Sequence, residues 1–514
     1  MYRFRVLEGG QAANHWPLYN TYMMGSDGTG LRADIRFESG LILCNKREAG
    51  SAALALQHRV GELGGLTLQT CLLPEREEPY LLSLELARHR LMILYAKLEE
   101  WQMFDLDPDH VVMRCSRSSR EKFIEALCSV HDDMVLADGL AQECLIIAVD
   151  GSEELSLAHS RLLINRRRST GAVPGAPIGC GVWFGHTHQR YRDRLVDNFD
   201  FLQLSLPWKH LAPAEGDYTW DKADDWARWA VGAAVPITAG PLIRFNPMHL
   251  PAWLYIWEHD YETIRDLVYE HVERVVERYK HVVSRWNVVS GLHVNSHLSF
   301  NFEQLMDLTR MAVMLVKKVD PDSQVLVEIR EPFGEYYSLN QQSIPPMMYA
   351  DLVTQASISI DQFAIPVLIG QPVLGQFTRD LMQMSNLLDQ YSVFGKPIHL
   401  TLSAPSSPVT PRMIAAPKSA ESVDPSSGHW RQPWSSLIQG HWLEAMCQIA
   451  MSKPYIESLA WQDLIDHSDI ELPLAGLIDE QIEPKDSFDR LLGFRRHLTD
   501  NGEIELAGSV LPSF

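Results

Sequence analysis

The sequence predicts an α/β chain whose larger part is a (β/α)8 TIM barrel, preceded by an N-terminal β-rich module and a helical segment. Three observations carry this. The 514 residues exceed one ordinary domain. From Ile178 onward, short apolar runs suited to buried parallel strands alternate eight times with stretches of helical spacing. Right-handed crossovers close such a repeat on itself.

The elements follow in order. Between Met1 and Cys71, YRFRVLEGG, ADIRFESGLILCNKR, AALALQHRV and LTLQTCLLP alternate in polarity and end at turn residues, so they read as strands of a small β-sandwich or similar module. Tyr80–Gln102, Arg120–His131 and Ala141–Arg166 have helical spacing. The run Arg166-Arg167-Arg168, followed by Ser169, Thr170 and Gly171, reads as a solvated helix end and linker rather than a nucleic-acid patch. The strands of the alternating part are IGCGVWFG, FDFLQLSLP, VPITAGPLIRF, WNVVSGLH, QVLVEIREP, QFAIPVLIG, PIHLTLSAP and IESLAWQDL. Ser406 to Gln432, rich in Pro and Ser, reads as a long loop after the seventh strand. The expected division is a β-rich module over 1–75 that is a candidate carbohydrate-binding unit, a helical connection over 76–170, the barrel over 171–500 and a tail over 501–514.

Composition narrows the partners. A net charge of −21 argues against a nucleic-acid partner and leaves neutral ligands such as sugars open. Seven scattered cysteines without a CxxC pair fit reduced thiols. No apolar run is long enough to span a bilayer, and the start lacks a signal-peptide core, so membrane insertion is not expected and a cytoplasmic location is. No cofactor is called for. His293 and His297 fall in a loop with no third ligand forced nearby, so no metal site is expected either.

Five segments, in order over about residues 178–498, resemble glycoside hydrolase family 10, the endo-β-1,4-xylanases. LPWKHLAPAEGDYTWDKADDWARWA, ITAGPLIRFNPMHLPAWL, RVVERYKHVVSRWNVVSG, KPIHLTLSA and AGLIDEQIEPKDSF are similar to that family's successive motifs. The resemblance implies a β-glycan ligand of xylan type. It also implies a retaining mechanism that needs two carboxylates about 5–5.5 Å apart. The family's acid/base position falls on Gly291, preceded by Ser290, and its nucleophile position falls on Leu402. Its strand-two Glu-Asn pair falls near Gln203 and Leu204 and its lysine near Pro207. The strand-three histidines become Pro241 and Asn246. Trp208, Trp286, Gln371 and Trp461 keep the family's residue types.

Other side chains at the strand ends supply candidates. Glu328, Glu331 and Glu335 after strand five, with Asp463 after strand eight, are candidate relocated catalytic carboxylates; a salt bridge from a glutamate to Arg330 is the structural alternative. Candidate substrate contacts are Trp208, Lys209, Arg244, Asn246, His293, Arg330, Gln371, Trp430, Trp434, Trp461 and Gln462, with the flat indoles suited to stacking on pyranose rings. The functional expectations are a glycan hydrolase with relocated carboxylates, or a carbohydrate-binding barrel without catalysis. A barrel enzyme of other chemistry built on His293 and Lys209 is the third.

Overall fold

The computed structural model describes residues 1–171, 177–298, 300–410, 413 and 428–499. Eight parallel strands close into a barrel: Ile178–Val182, Phe201–Leu204, Ile237–Ala239, Val283–Ser290, Gln324–Glu328, Gln362–Leu368, Ile398–Ser403 and Ile456–Trp461. We number them one to eight. Strand eight pairs with strand one in parallel register, Ala460 beside Gly179, and completes the ring. Each strand is followed by a helix, so the fold is the expected (β/α)8 barrel.

Strand four shows why the sequence folds this way. Val288 and Val289 are wholly buried, and the Trp286 indole N–H donates to Asp320 Oδ2 at 2.9 Å, tying the strand to the end of helix Phe302–Val319. That helix begins with a capping box in which Asn301 and Gln304 satisfy each other's backbone N–H groups. Strand three is shorter than the apolar run suggests. Its regular pairing ends at Ala239, and past Pro241, which has no N–H to donate, Ile243 makes only an isolated bridge to Val289.

The N-terminal region holds two four-stranded sheets. One has the order Tyr80–Leu81, Tyr2–Arg5, Leu41–Lys46, Ala33–Glu38; the other has Gly30–Leu31, Tyr22–Met24, Ala53–Arg59, Gly65–Gln69. Both share one apolar core with the three helices that follow, Leu82–Glu100, Val111–Ser129 and Met134–Ser169. Two of these helices start earlier than their spacing suggests. The second begins behind a His110 cap and buries Ser116 and Ser119, polar residues that hide its apolar face from a pattern search. The third begins at an Asp133 cap and runs through Gly139. Arg166, Arg167 and Arg168 form its last turn, and Arg167 donates to Met451 O of the barrel at 2.8 Å. The expected tail over 501–514 lies outside the described residues, as does much of the Ser406–Gln432 loop. No helix among the described residues is long and apolar enough to cross a membrane.

The two regions are locked together by buried charge. Arg90 forms a two-pronged pair with Asp380 (2.9 and 2.5 Å), the partners being 4% and 0% exposed. Burial alone would raise the Asp380 carboxyl, but Arg90 and Gln383 outweigh it and hold it below the usual range. Glu153 accepts from Leu381 N and from Arg431 Nε, and Glu335 accepts from Asn20 and pairs with Arg379. Removing one partner of such a pair strands the other in a low-dielectric interior. Arg90→Ala should therefore lower stability by about 3–5 kcal/mol. A denaturant titration within 1 kcal/mol of wild type would contradict this reading.

Candidate active-site cleft

The C-terminal ends of the strands and the loops beyond them enclose a cleft of about 1200 Å³. Its wall includes Glu328, Arg330, Lys209, Arg244, Gln371, Gln462 and Asp463 from the sequence-derived candidates, together with Trp183, Asn287, Thr401 and Glu471.

Arg330 stands at the centre. Its Nη1 donates to Glu328 Oε1 at 3.0 Å, and its Nη2 donates to Glu471 Oε1. Arg244 clamps the same Glu471 through both oxygens, at 3.1 and 2.8 Å. Gln462 Nε2 adds a 3.3 Å contact. Glu328 is further held by Asn287 Nδ2 (2.5 Å) and Ser290 Oγ (2.7 Å). Burial would push the Glu471 carboxyl up, yet Arg244 and Arg330 together hold it well below the ordinary carboxylate range. Arg330 itself is disfavoured by burial, and Glu471 and Glu328 more than restore its charge.

The end of strand four explains how Arg330 fits. Gly291 has φ +64°, and a Cβ built there would lie 3.3 Å from the Cβ, Cγ and Cδ of Arg330. The arginine stem thus lies against the face where a side chain at 291 would stand, in a backbone conformation that favours glycine. On strand seven, His399 and Thr401 line the cleft, while Leu402 is fully buried in the barrel core and is not on the cleft wall. The two-residue period of a strand puts alternate positions on opposite faces.

Asp463 is the other cleft carboxylate with a distinctive setting. Burial pushes it above the usual range, and His467 Nε2 lies 3.5 Å away. His467 in turn stacks on Trp183 with ring centroids 4.5 Å apart.

Several expected site residues lie elsewhere, each for a packing reason. Trp208 is 3% exposed and stacks on His271 at 4.3 Å. The Trp461 indole is buried and donates to Ala475 O at 2.8 Å. Trp430 and Trp434 are also buried, Trp430 donating to Glu153 Oε1, because the hairpin His429–Pro433 is pinned to the N-terminal region rather than to the cleft. His293 is wholly buried, stacked on Tyr349 and bonded to Arg330 O behind the cleft wall, and burial lowers it to about 4. It therefore does not meet Lys209. Asn246 accepts from His249 N and closes a local turn. Glu335 serves the N-terminal interface. Glu331, at φ +46°, rests against Gly375 off the cleft wall, and burial raises it to about 7.

Glu471 is a cleft carboxylate that does not stand out in the sequence. The only signal for it is position: it ends the acidic stretch Asp463, Asp466, Asp469, Glu471 in the loop after the last barrel strand.

A family model described as "Glycosyl hydrolase family 10" matches residues 186–319. The barrel resembles family 10. That matched stretch runs from just after strand one through strand four and its helix, so it includes Gly291 and stops before Glu328, Arg330 and Glu471. Among curated relatives, the endo-1,4-beta-xylanase A of Xylanibacter ruminicola is 23% identical over 161 residues, 29% of this chain and 40% of that protein. The endo-1,4-beta-xylanase 1 of Gibberella zeae is 24% identical over 86 residues, 17% of this chain and 24% of that protein. The chain thus matches well under half the length of either. Solved structures similar to the family-10-like barrel include xylanase 10B from Thermotoga maritima, with 15% identity, a TM-score of 0.47, and coverage of 66% of this chain and 98% of that one. A GH10 endoxylanase from a sugarcane soil metagenome has 14% identity, a TM-score of 0.48 and coverage of 64% and 99%.

Glu471 carries a pH signature. Its folded-state pKa is depressed, so its contribution to stability is present above the unfolded value of about 4.3 and fades as pH falls through the lower folded value. Glu471→Gln should cost about 3 kcal/mol at pH 7, because two arginines lose a largely buried charged partner. The gap to wild type should narrow steadily below about pH 4. A gap in urea titrations that stays constant from pH 7 to pH 3 would show that the ion pair does not provide it.

Proposed function

We propose that the family-10-like barrel binds a β-linked glycan of xylan type in its cleft and does not hydrolyse it. The substrate class is taken from the resemblance to family 10 and from the endo-1,4-beta-xylanase names of the curated relatives. The observation that carries the absence of catalysis is the Arg330 bridge between Glu328 and Glu471. A carboxylate paired with a largely buried guanidinium is a weak nucleophile, and one held far below its normal pKa cannot donate a proton at neutral pH. The two positions where the family would carry its glutamates support the same reading. Gly291 has no side chain and has the Arg330 stem packed against it, and Leu402 is apolar and buried.

One observation favours a hydrolytic reading instead. Asp463 lies on the cleft wall with its carboxyl raised by burial, as a general acid requires, and Glu471 or Glu328 would then have to act as the anion. Wild-type protein incubated with xylan and xylo-oligosaccharides should bind without releasing reducing ends. Release that falls at least a hundredfold in Asp463→Asn or Glu328→Gln would replace the binding reading with relocated carboxylates. Gly291→Glu should not create activity. It should unfold the protein at lower denaturant than wild type, because the new side chain needs an uncommon left-handed backbone and the space beside the Arg330 stem.

A further inference from the structure

A second concavity lies on the same end of the barrel, between the loops that follow strands four and five, with a volume of about 500 Å³. Two features distinguish it from ordinary surface. First, among the described residues none of its lining side chains carries a charge, in a chain where 22% of residues do. What it offers is aromatic faces and amides. Phe302 is 48% exposed, Tyr337 is half-buried, and Gln341 and Gln342 supply paired donors and acceptors. A half-exposed phenylalanine at the first position of a capped helix gains nothing from the solvent around it.

Second, the walls are fixed in advance. Asn295 is 9% exposed and sits in a left-handed conformation, φ +50°. Its amide donates to Phe300 O within its own loop at 2.7 Å and to Gln342 O of the loop after strand five at 2.9 Å. Asn340 returns the tie, donating to Val294 O and Asn295 O at 3.1 and 3.0 Å. Ile344 N also donates to His293 O at 2.8 Å. The loops after strands four and five are therefore one stapled unit, and a ligand meets a groove whose shape costs little further ordering.

We propose that this groove is a second carbohydrate-contact site, taking one or two residues of an uncharged β-glycan outside the cleft. A pyranose presents an apolar C–H face and a rim of hydroxyls that both donate and accept. Phe302 and Tyr337 match the face, and the glutamine amides match the rim. A charged ligand would find no counter-ion here. The sugar class is carried over from the proposed function, but the groove shares no lining residue with the cleft.

Native gels containing soluble β-1,4-xylan test it with four proteins. These are wild type, Phe302→Ala/Tyr337→Ala, Gln341→Ala/Gln342→Ala, and the cleft variant Lys209→Ala/Gln462→Ala. Wild type should be retarded, and each groove variant should need at least about threefold more xylan for the same retardation. Gln341 and Gln342 are exposed, so their variant reads binding without disturbing the fold. Groove variants retarded as strongly as wild type would overturn the groove, whatever the cleft variant does. Loss in the groove variants with full retardation of the cleft variant would uphold the groove and defeat the cleft reading. A wild type that passes through xylan unretarded would overturn the sugar assignment of both.

Discussion

The cleft depends on where one guanidinium sits. The Arg330 side chain is 13% exposed, and an arginine so far withdrawn from water stays charged, so the fold must surround it with acceptors. It does so with two carboxylates, Glu328 from strand five and Glu471 from the loop after strand eight, and Arg244 shares Glu471. The aliphatic stem of Arg330 packs on Gly291, just past strand four, and its backbone carbonyl is bonded to His293. Strands four and five and the last loop are thereby held in one arrangement.

Charge also organises the boundary between the two halves of the chain. Asp380, at the start of the helix after strand six, caps that helix and receives Arg90 from the N-terminal helices. The backbone N–H of Thr67 donates to Thr378 O at 3.1 Å, and Gln383 reaches Thr67 O at 2.9 Å, so a sheet edge and a helix end share hydrogen bonds as well as ions. The hairpin His429–Pro433 enters the same boundary, with Arg431 N donating to Leu63 O. These contacts turn Glu335, Trp430 and Trp434 away from the cleft.

The barrel was legible because its signal is local and repeated. The Trp286, Val288 and Val289 body of strand four and the three-and-four spacing of the helix before it need no knowledge of distant contacts. Arg330 and Glu328 were also legible, since a two-residue offset on one strand brings them to one side. Other residues failed for long-range reasons. Nothing near Trp430 in sequence shows that Glu153, on a helix nearly three hundred positions earlier, will accept from its indole. Trp208 and Trp461 have the residue type of sugar platforms, yet their rings are enclosed by His271 and by the loop carrying Ala475. Burial is a property of the assembled fold, and an indole serves a core as well as it serves a ligand.

The ion pairs at the boundary have a consequence for how such a chain can change over generations. An appended module that touches its neighbour through water can be exchanged or lost by recombination, leaving a sound enzyme or binder behind. Here each half carries charges whose partners lie in the other, Arg90 with Asp380 and Glu153 with Arg431, and the Glu335 carboxylate also accepts from Asn20. A cut between them would leave carboxylates and guanidinium groups facing apolar surface on both sides. The N-terminal region and the barrel are therefore bound to be inherited, and to diverge, as a single block.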